Sequence, residues 1–165
     1  MFAKGDHKEQ IASEVKSHWN VVNIQHIEIL DDNKSVAFYK TVDGSEREMY
    51  LEKSLFTWDM KRDFPFIREG VNEHIHLSFF DSPFSSEEED NAVLLRVFDN
   101  EINRVHIVKG ENIIYHFELF SIGSEERVGL FRTENDEIYD ADYVAYNSDG
   151  EVVYIGKTSQ WRKVQ

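Results

Sequence analysis

The residues in this chain best suited to chemistry are two histidines separated by a single isoleucine, His74 and His76. On a β-strand, side chains at positions i and i+2 point to the same side, so both imidazoles could reach one Zn²⁺ ion. A third ligand would have to come from elsewhere in the chain, for example from His106, His116 or a carboxylate. The same alternation also fits an ordinary strand whose histidines face solvent while its apolar residues face a core.

Acidic side chains form two dense segments, at 87–90 and 134–142. Paired carboxylates can bind Ca²⁺ or act as acid and base in hydrolysis, and Asp140 and Asp142 are the pair we single out. The D-x-D-x-D-G spacing of a calcium loop is absent, because Tyr143 follows Asp142. The alternative interpretation is a solvated acidic edge without a ligand. We therefore predict no cofactor, with Ca²⁺ and Zn²⁺ as the two ions to test.

Motifs for nucleophilic or phosphate chemistry are incomplete. Ser13 and Lys16 match S-x-x-K, and the segment 156–158 matches only the end of a P-loop, whose first glycine is replaced by Glu151. The chain contains no cysteine, which excludes disulfides, thiolate zinc sites and cysteine nucleophiles. We therefore predict that the protein is not an enzyme.

The overall charge is strongly negative. The 165 residues include 18 Lys and Arg against 32 Asp and Glu, a formal net charge of −14. Nucleic-acid binding is not expected, because phosphate contacts require clustered basic side chains. The apolar runs are too short to span a bilayer, so no membrane insertion is expected. The segment 1–6 lacks the apolar stretch of a signal peptide.

The charge divides the chain into two halves. Residues 1–70 carry 10 basic and 13 acidic side chains, whereas residues 71–165 carry 8 and 19. Pro65 and Gly70 lie close to this division, and both residue types interrupt regular structure. We predict two modules, 1–70 and 71–165. A single continuous α+β domain is the alternative.

The first module is predicted to be one helix on an antiparallel sheet. Asp6 followed by Glu9 is typical of a helix N-terminal cap, and apolar residues at 11, 15 and 19 give one buried stripe that ends with Trp19. Strand-like segments follow up to residue 60, with Phe56 placed on the last of them. A slip in the alternation at residues 25–26 indicates a β-bulge.

The second module is predicted to be entirely β. Short strand-like segments recur at roughly ten-residue spacing, as is typical of a β-sandwich. These segments are 74–80, 93–98, 104–109, 113–120, 127–133, 142–146 and 151–155. The fold class is therefore α+β or mainly β: an N-terminal helix on an antiparallel meander, followed by an immunoglobulin-like β-sandwich.

Three segments resemble uncharacterised small proteins of Bacillus-type, Gram-positive bacteria. They are LDDNKSVAFY at 30–39, FTWDM at 56–60 and AYNSDGEVVY at 145–154. The resemblance implies a helix-plus-meander unit and a sandwich-like second half. It also implies an extracytoplasmic location, because such proteins usually begin with an apolar anchor or a lipoprotein signal. This sequence departs from them in that it lacks such a segment. It implies no catalytic residues.

Together these features predict a non-enzymatic interaction or accessory module at the bacterial cell envelope, with a protein or cell-envelope partner. One alternative is a divalent-metal-binding protein, or a metal-dependent hydrolase that uses the acidic residues near Asp140. The other is a cytoplasmic interaction protein.

Overall fold

The fold was analysed in a computed structural model. It describes residues 4–71, 74–84, 90–123, 125–157 and 160–164. Trp161, which the sequence left open between a core and a surface position, has a side chain outside the described set. No helix among the described residues is long and apolar enough to cross a membrane.

The chain divides into two compact units. The first comprises Met1–Glu69 together with Pro83–Glu88, and the second comprises Gly70–Ser82 together with Glu89–Gln165. The division after Glu69 lies one residue from the boundary predicted from the charge distribution. The units are not two continuous halves of the chain, because the short segment Pro83–Glu88 belongs to the first unit although it lies between two segments of the second.

The first unit is one helix on a four-stranded antiparallel sheet with strand order β1-β2-β3-β4. Its elements are α1 (Lys4–His18), β1 (Val21–Asp31), β2 (Lys34–Thr41), β3 (Glu46–Ser54) and β4 (Thr57–Phe66). Each strand pairs with its neighbour in sequence through a tight turn, as the alternating pattern predicted. The predicted bulge is confirmed, because the register of β1 shifts between Ile24 and His26.

The helix packs on the sheet through one apolar stripe. Ile11 and Val15 are fully buried one helical turn apart, and they pack with the buried residues of one sheet face. These sheet residues are Ala37, Tyr39, Met49, Leu51 and Trp58. The stripe was predicted to continue to Trp19, which is wrong, because the helix ends at His18 and Trp19 is 38% exposed. The predicted cap is also wrong, since Asp6 lies within the first turn of the helix.

The second unit contains two antiparallel sheets. One has the order β5-β6-β10-β9 and the other has the order β13-β12-β11-β7-β8. The strands are β5 (Ile75–Asp81), β6 (Asn91–Val97), β7 (Arg104–Lys109), β8 (Asn112–His116), β9 (Phe120–Ile122), β10 (Glu126–Thr133), β11 (Asp142–Tyr146), β12 (Val152–Lys157) and β13 (Gln160–Lys163).

The core of the second unit contains alternating residues from both sheets. Ile75, Leu77 and Leu95 from the four-stranded sheet join Ile107 and Tyr143 from the five-stranded sheet in one buried cluster. Burying apolar side chains between two sheets is the main stabilising term for such a unit. The prediction of a mainly β protein with one N-terminal helix and antiparallel sheets is confirmed.

One predicted strand, 113–120, is in fact two strands. β8 pairs with β7 in the five-stranded sheet, whereas β9 pairs with β10 in the four-stranded sheet. The chain therefore leaves one sheet and enters the other across residues 117–119. Phe117 is buried at this crossover and donates its backbone N–H to the Val105 carbonyl, 3.0 Å away. The sequence hides such a crossover, because buried Phe117 and partly buried Leu119 alternate with exposed Glu118 as they would along a single strand.

Candidate functional site

His74, the first of the two predicted zinc ligands, lies in the bend immediately before β5. Its Nδ1 is 3.1 Å from Asp99 Oδ2, and its ring stacks on Tyr154 at a centroid distance of 5.1 Å. The Tyr154 hydroxyl donates to the same carboxylate oxygen at 2.8 Å. Since Tyr154 belongs to the core between the two sheets, the His74 imidazole is directed towards the five-stranded sheet.

His76 has different neighbours. It pairs across the sheet with Arg96 on β6, while Ile75 and Leu77 on either side of it point into the core. Burial, and then the charge of Arg96, lower the pKa of His76. The contacts of His74 and His76 therefore do not coincide, and zinc binding by this pair stays a prediction.

Asp99 accepts hydrogen bonds from the Glu101 backbone N–H and the Tyr154 hydroxyl and also contacts His74. Its burial works against ionisation, but the Glu101 backbone N–H, the Tyr154 hydroxyl and His74 together hold the pKa of Asp99 below its usual value. A carboxylate on Nδ1 is the arrangement that orients catalytic and metal-binding histidines. The backbone joins the same two segments, because the Phe98 and Asp99 N–H groups both donate to the His74 carbonyl.

The acidic residues at 134–142 do not form a shared ligand set. Asp140 lies 3.9 Å from the Lys109 ammonium, and Asp142 lies 3.9 Å from the Lys157 ammonium, so the two carboxylates have separate basic partners. Across the described ranges, no three His, Asp or Glu side chains are grouped so that they could hold a metal ion. The other acidic segment, 87–90, lies almost wholly outside the described residues.

A histidine pair that the sequence did not predict joins β7 to β8. His106 Nε2 and His116 Nδ1 are 2.8 Å apart across the two strands, and the rings meet edge to face. His106 is only 8% exposed, and its ring also packs on Tyr146. Burial, then the charges of His116 and Arg104, lower the pKa of His106.

The first unit has its own buried polar cluster, centred on Asp63 of β4. The Tyr39 hydroxyl donates to Asp63 Oδ1 at 2.6 Å, and the Trp19 indole donates to Oδ2 at 2.7 Å. The Arg47 guanidinium also binds Oδ2, at 2.9 Å, and lies over the Trp19 ring. Burial, and then Asp63, raise the pKa of Tyr39 well above its usual range. The cluster links the end of the helix to three strands, which is a structural role.

The most exposed apolar residues of the first unit form the turn between β3 and β4. Leu55 is 90% exposed and Phe56 is 74% exposed. Phe56 was predicted to lie on β4, which is wrong, because the strand begins at Thr57. Leu55 has a φ of +43°, in the left-handed region that costs an L-residue about 1 kcal/mol or more. Tight hairpin turns normally place Gly, Asn or Asp at such a position.

The base of this turn is held firmly. Asp59 accepts hydrogen bonds from the Ser54 hydroxyl at 2.8 Å and from the Thr57 hydroxyl at 3.3 Å. Trp58, the second residue of β4, is 3% exposed and donates its indole N–H to His7 Nδ1 at 3.2 Å. Leu55 and Phe56 are therefore exposed to solvent on a turn whose base is held by side-chain hydrogen bonds. We call the segment 55–56 the apolar tip.

Comparison with known proteins identifies no relative. No protein-family model matches the chain, and no curated protein or solved structure is significantly similar to it.

Proposed function

We propose that the protein is a non-enzymatic interaction module of the bacterial cell envelope, and that its apolar tip docks into a partner protein. The observation that carries the proposal is the exposure of Leu55 and Phe56 in a turn that holds Leu55 at a φ of +43°. Single exposed apolar residues are common on protein surfaces. Here two adjacent apolar side chains are exposed to water, and Leu55 also has an unfavourable backbone conformation. Such locally unfavourable features concentrate at functional sites.

The charges around the apolar tip indicate the kind of pocket that would receive it. Asp59 lies at the base of the tip, and the basic Lys53 precedes Leu55 by two residues. The turn between β1 and β2 contains Asp31 and Asp32, and it is tied to β3 by the Lys53 backbone N–H, which donates to the Asn33 carbonyl. A partner of complementary chemistry has an apolar pocket with basic side chains on its rim. Acidic neighbours would weaken contact with an anionic lipid surface.

The extracytoplasmic location and the immunoglobulin-like form of the second unit belong to the same proposal. The resemblance to Bacillus-type envelope proteins supports the location, and the two packed antiparallel sheets support a sandwich. The absence of cysteine is compatible with either compartment. Fractionation of the native host tests the location, and recovery from the cytosol alone would contradict it.

Site-specific photo-crosslinking tests the docking role. Phe56 is replaced by a photoreactive phenylalanine analogue in the full chain, and intact host cells are irradiated. We expect one discrete cross-linked protein in the envelope fraction, whose cross-linked peptide combines apolar residues with Lys or Arg. The cross-link should weaken with added salt, because rim charges are screened.

Two further variants of the cross-linking protein give the control. Leu55→Gly should remove the cross-link, whereas Val42→Ser should leave it unchanged, since Val42 is another exposed apolar turn residue, 69% exposed, away from the apolar tip. Equal loss in both variants, or a cross-link to lipid alone, would contradict the docking role.

A further inference from the structure

The imidazole–imidazole hydrogen bond between His106 and His116 can be assigned a direction. His106 Nδ1 is buried and has no hydrogen-bond partner. A buried N–H without an acceptor is costly, so the hydrogen of neutral His106 lies on Nε2. This N–H donates to Nδ1 of His116, 2.8 Å away. His116 is exposed and carries its own hydrogen on Nε2.

This arrangement has no good way to accept a further proton. A proton on His116 Nδ1 places two N–H groups against each other across 2.8 Å. A proton on His106 Nδ1 creates a buried cation without an acceptor. If His116 became the donor instead, His106 would have to move its hydrogen to the same buried Nδ1. Every protonated form therefore loses the hydrogen bond or buries an unsatisfied donor.

The surroundings add no compensating negative charge. The ring of His106 contacts His116 on β8 and Tyr146 on β11, and the Arg104 guanidinium lies over the Tyr146 ring, 5.3 Å from its centroid. Among the described residues, neither imidazole has a carboxylate partner. The nearest charge on β7 itself is Arg104, whose positive charge opposes protonation further.

The position of the pair in the fold gives its protonation a structural consequence. β8 is the edge strand of the five-stranded sheet and pairs with β7 alone. It contains five residues, and the register of the hairpin shifts between Ile107 and Val108. His116 is its last residue, directly before the chain crosses to the other sheet. On the opposite face, Tyr115 stacks on Phe131 of β10 at a centroid distance of 4.2 Å.

We propose that the His106–His116 pair is a proton-sensitive latch on the edge strand β8, closed at neutral pH and opened by uptake of one proton in mildly acidic solution. The low pKa of buried His106 supports the closed, neutral form at pH 7. Opening releases the end of β8 at His116, while Tyr115 still anchors the middle of the strand. The edge of β7 then becomes accessible to solvent or to another strand.

Hydrogen exchange on the full chain tests the latch. Protection factors, corrected for the intrinsic pH dependence of exchange, are compared between pH 7.5 and pH 5.5. We expect the amide of Phe117, which donates to the Val105 carbonyl, to lose about tenfold or more of its protection, as the loss of one stabilising contact of about 1.4 kcal/mol would produce. Amides of the central strand β11 should change much less.

Two variants separate the latch from a general effect of acid. His116→Leu removes the imidazole that pairs with His106, so the protection of the Phe117 amide should become independent of pH over this range. His26→Gln, a histidine change in the first unit, should leave the wild-type response unaltered. A pH response that persists in His116→Leu, or its absence in the wild type, would overturn the proposal.

A measurement on the unmodified protein guards against a variant that fails to fold. The ¹⁵N shifts of the imidazole nitrogens distinguish the two neutral tautomers. The latch requires that at pH 7.5 His106 carries its hydrogen on Nε2 and His116 also on Nε2. A hydrogen on His106 Nδ1 would overturn the proposal, whatever the exchange data show.

Discussion

The two units each gather hydrogen-bond donors around one carboxylate, but with different donors. Asp63 in the first unit binds a tyrosine, a tryptophan and the permanent cation of Arg47. Asp99 in the second unit binds a tyrosine, a backbone N–H and the imidazole of His74. The first cluster therefore contains the permanent cation of a guanidinium, whereas the second contains an imidazole in its place.

The same contrast extends to the rest of each unit. The second unit contains two histidines of lowered pKa, the half-buried His76 and the buried His106. The first unit instead contains the apolar tip, which is exposed and is strained at Leu55. The two proposals therefore assign partner contact and the response to acid to different units, so that each can be altered separately.

The largest effect is expected from removing the centre of the first cluster. Asp63→Ala leaves the Tyr39 hydroxyl, the Trp19 indole and the Arg47 guanidinium without their acceptor. Breaking a buried ion pair from one side costs about 3–5 kcal/mol of unfolding free energy, measured by urea denaturation. Asp59→Ala is the matched control, because this half-buried carboxylate accepts hydrogen bonds only from two exposed turn hydroxyls and its loss should cost about 1 kcal/mol or less. Similar losses in both variants would contradict the structural role of Asp63.

A smaller loss is expected at the crossover of the second unit. A Cβ on Gly129 would lie 2.7 Å from Phe117 Cδ1 and 3.2 Å from Leu119 Cδ2. Gly129→Ala should therefore cost about 1–3 kcal/mol of unfolding free energy, since overpacking forces side chains to shift. Combining it with Phe117→Leu, which shortens the contacting side chain, should make the alanine less costly than it is alone. If the losses of the two single variants simply add in the double variant, the contact between Phe117 and the new Cβ is not what destabilises Gly129→Ala.

Acid should weaken the second unit before the first. His76 and His106 have lowered pKa values in the folded protein, so they bind protons more readily when unfolded. Their contribution to stability is complete above the unfolded pKa of about 6.5 and is lost as the pH falls below it. Asp99, whose pKa is also lowered, adds a further loss only below its unfolded value of about 3.9.

Thermal unfolding between pH 7.5 and pH 5, with hydrogen exchange to assign each unit, measures this effect. We expect the second unit to lose stability over this range while the first changes little. His76→Gln should reduce the loss, and His18→Gln, in the helix of the first unit, should not. A first unit that responds as strongly as the second would contradict the comparison.

The sequence predicted those parts of the fold that depend on local pattern. The stripe of Ile11 and Val15 predicts the helix face, and the alternation around His76 predicts its strand, because both patterns repeat with the period of the structure. Trp19 was misplaced because its cluster depends on Asp63, 44 residues away. Phe56 was misplaced because an apolar residue that continues an alternation is indistinguishable in sequence from one that has left the strand.

The pairing of His106 with His116 was harder to predict, because it depends on a register shift between two strands. The turn at Gly110 pairs Lys109 with Asn112, and extending that register would place His106 opposite Tyr115. The shift between Ile107 and Val108 instead places His106 opposite His116. A register shift of one residue has no clear signature in a single sequence, so the histidine pair becomes visible only in the structure.

The most direct test of the central claim, that the apolar tip is kept for binding and not for folding, is the unfolding free energy of Leu55→Gly. Urea denaturation is followed by tryptophan fluorescence in a Trp161→Phe background, so that the signal comes from Trp19 and Trp58, which both lie in the first unit. The variant should be about 0.5–1 kcal/mol more stable than the wild type, because the relief of left-handed strain exceeds the chain entropy that glycine adds to the unfolded state, and the 90% exposed leucine buries little area. A variant less stable than the wild type would show that Leu55 stabilises the fold, and would contradict the claim.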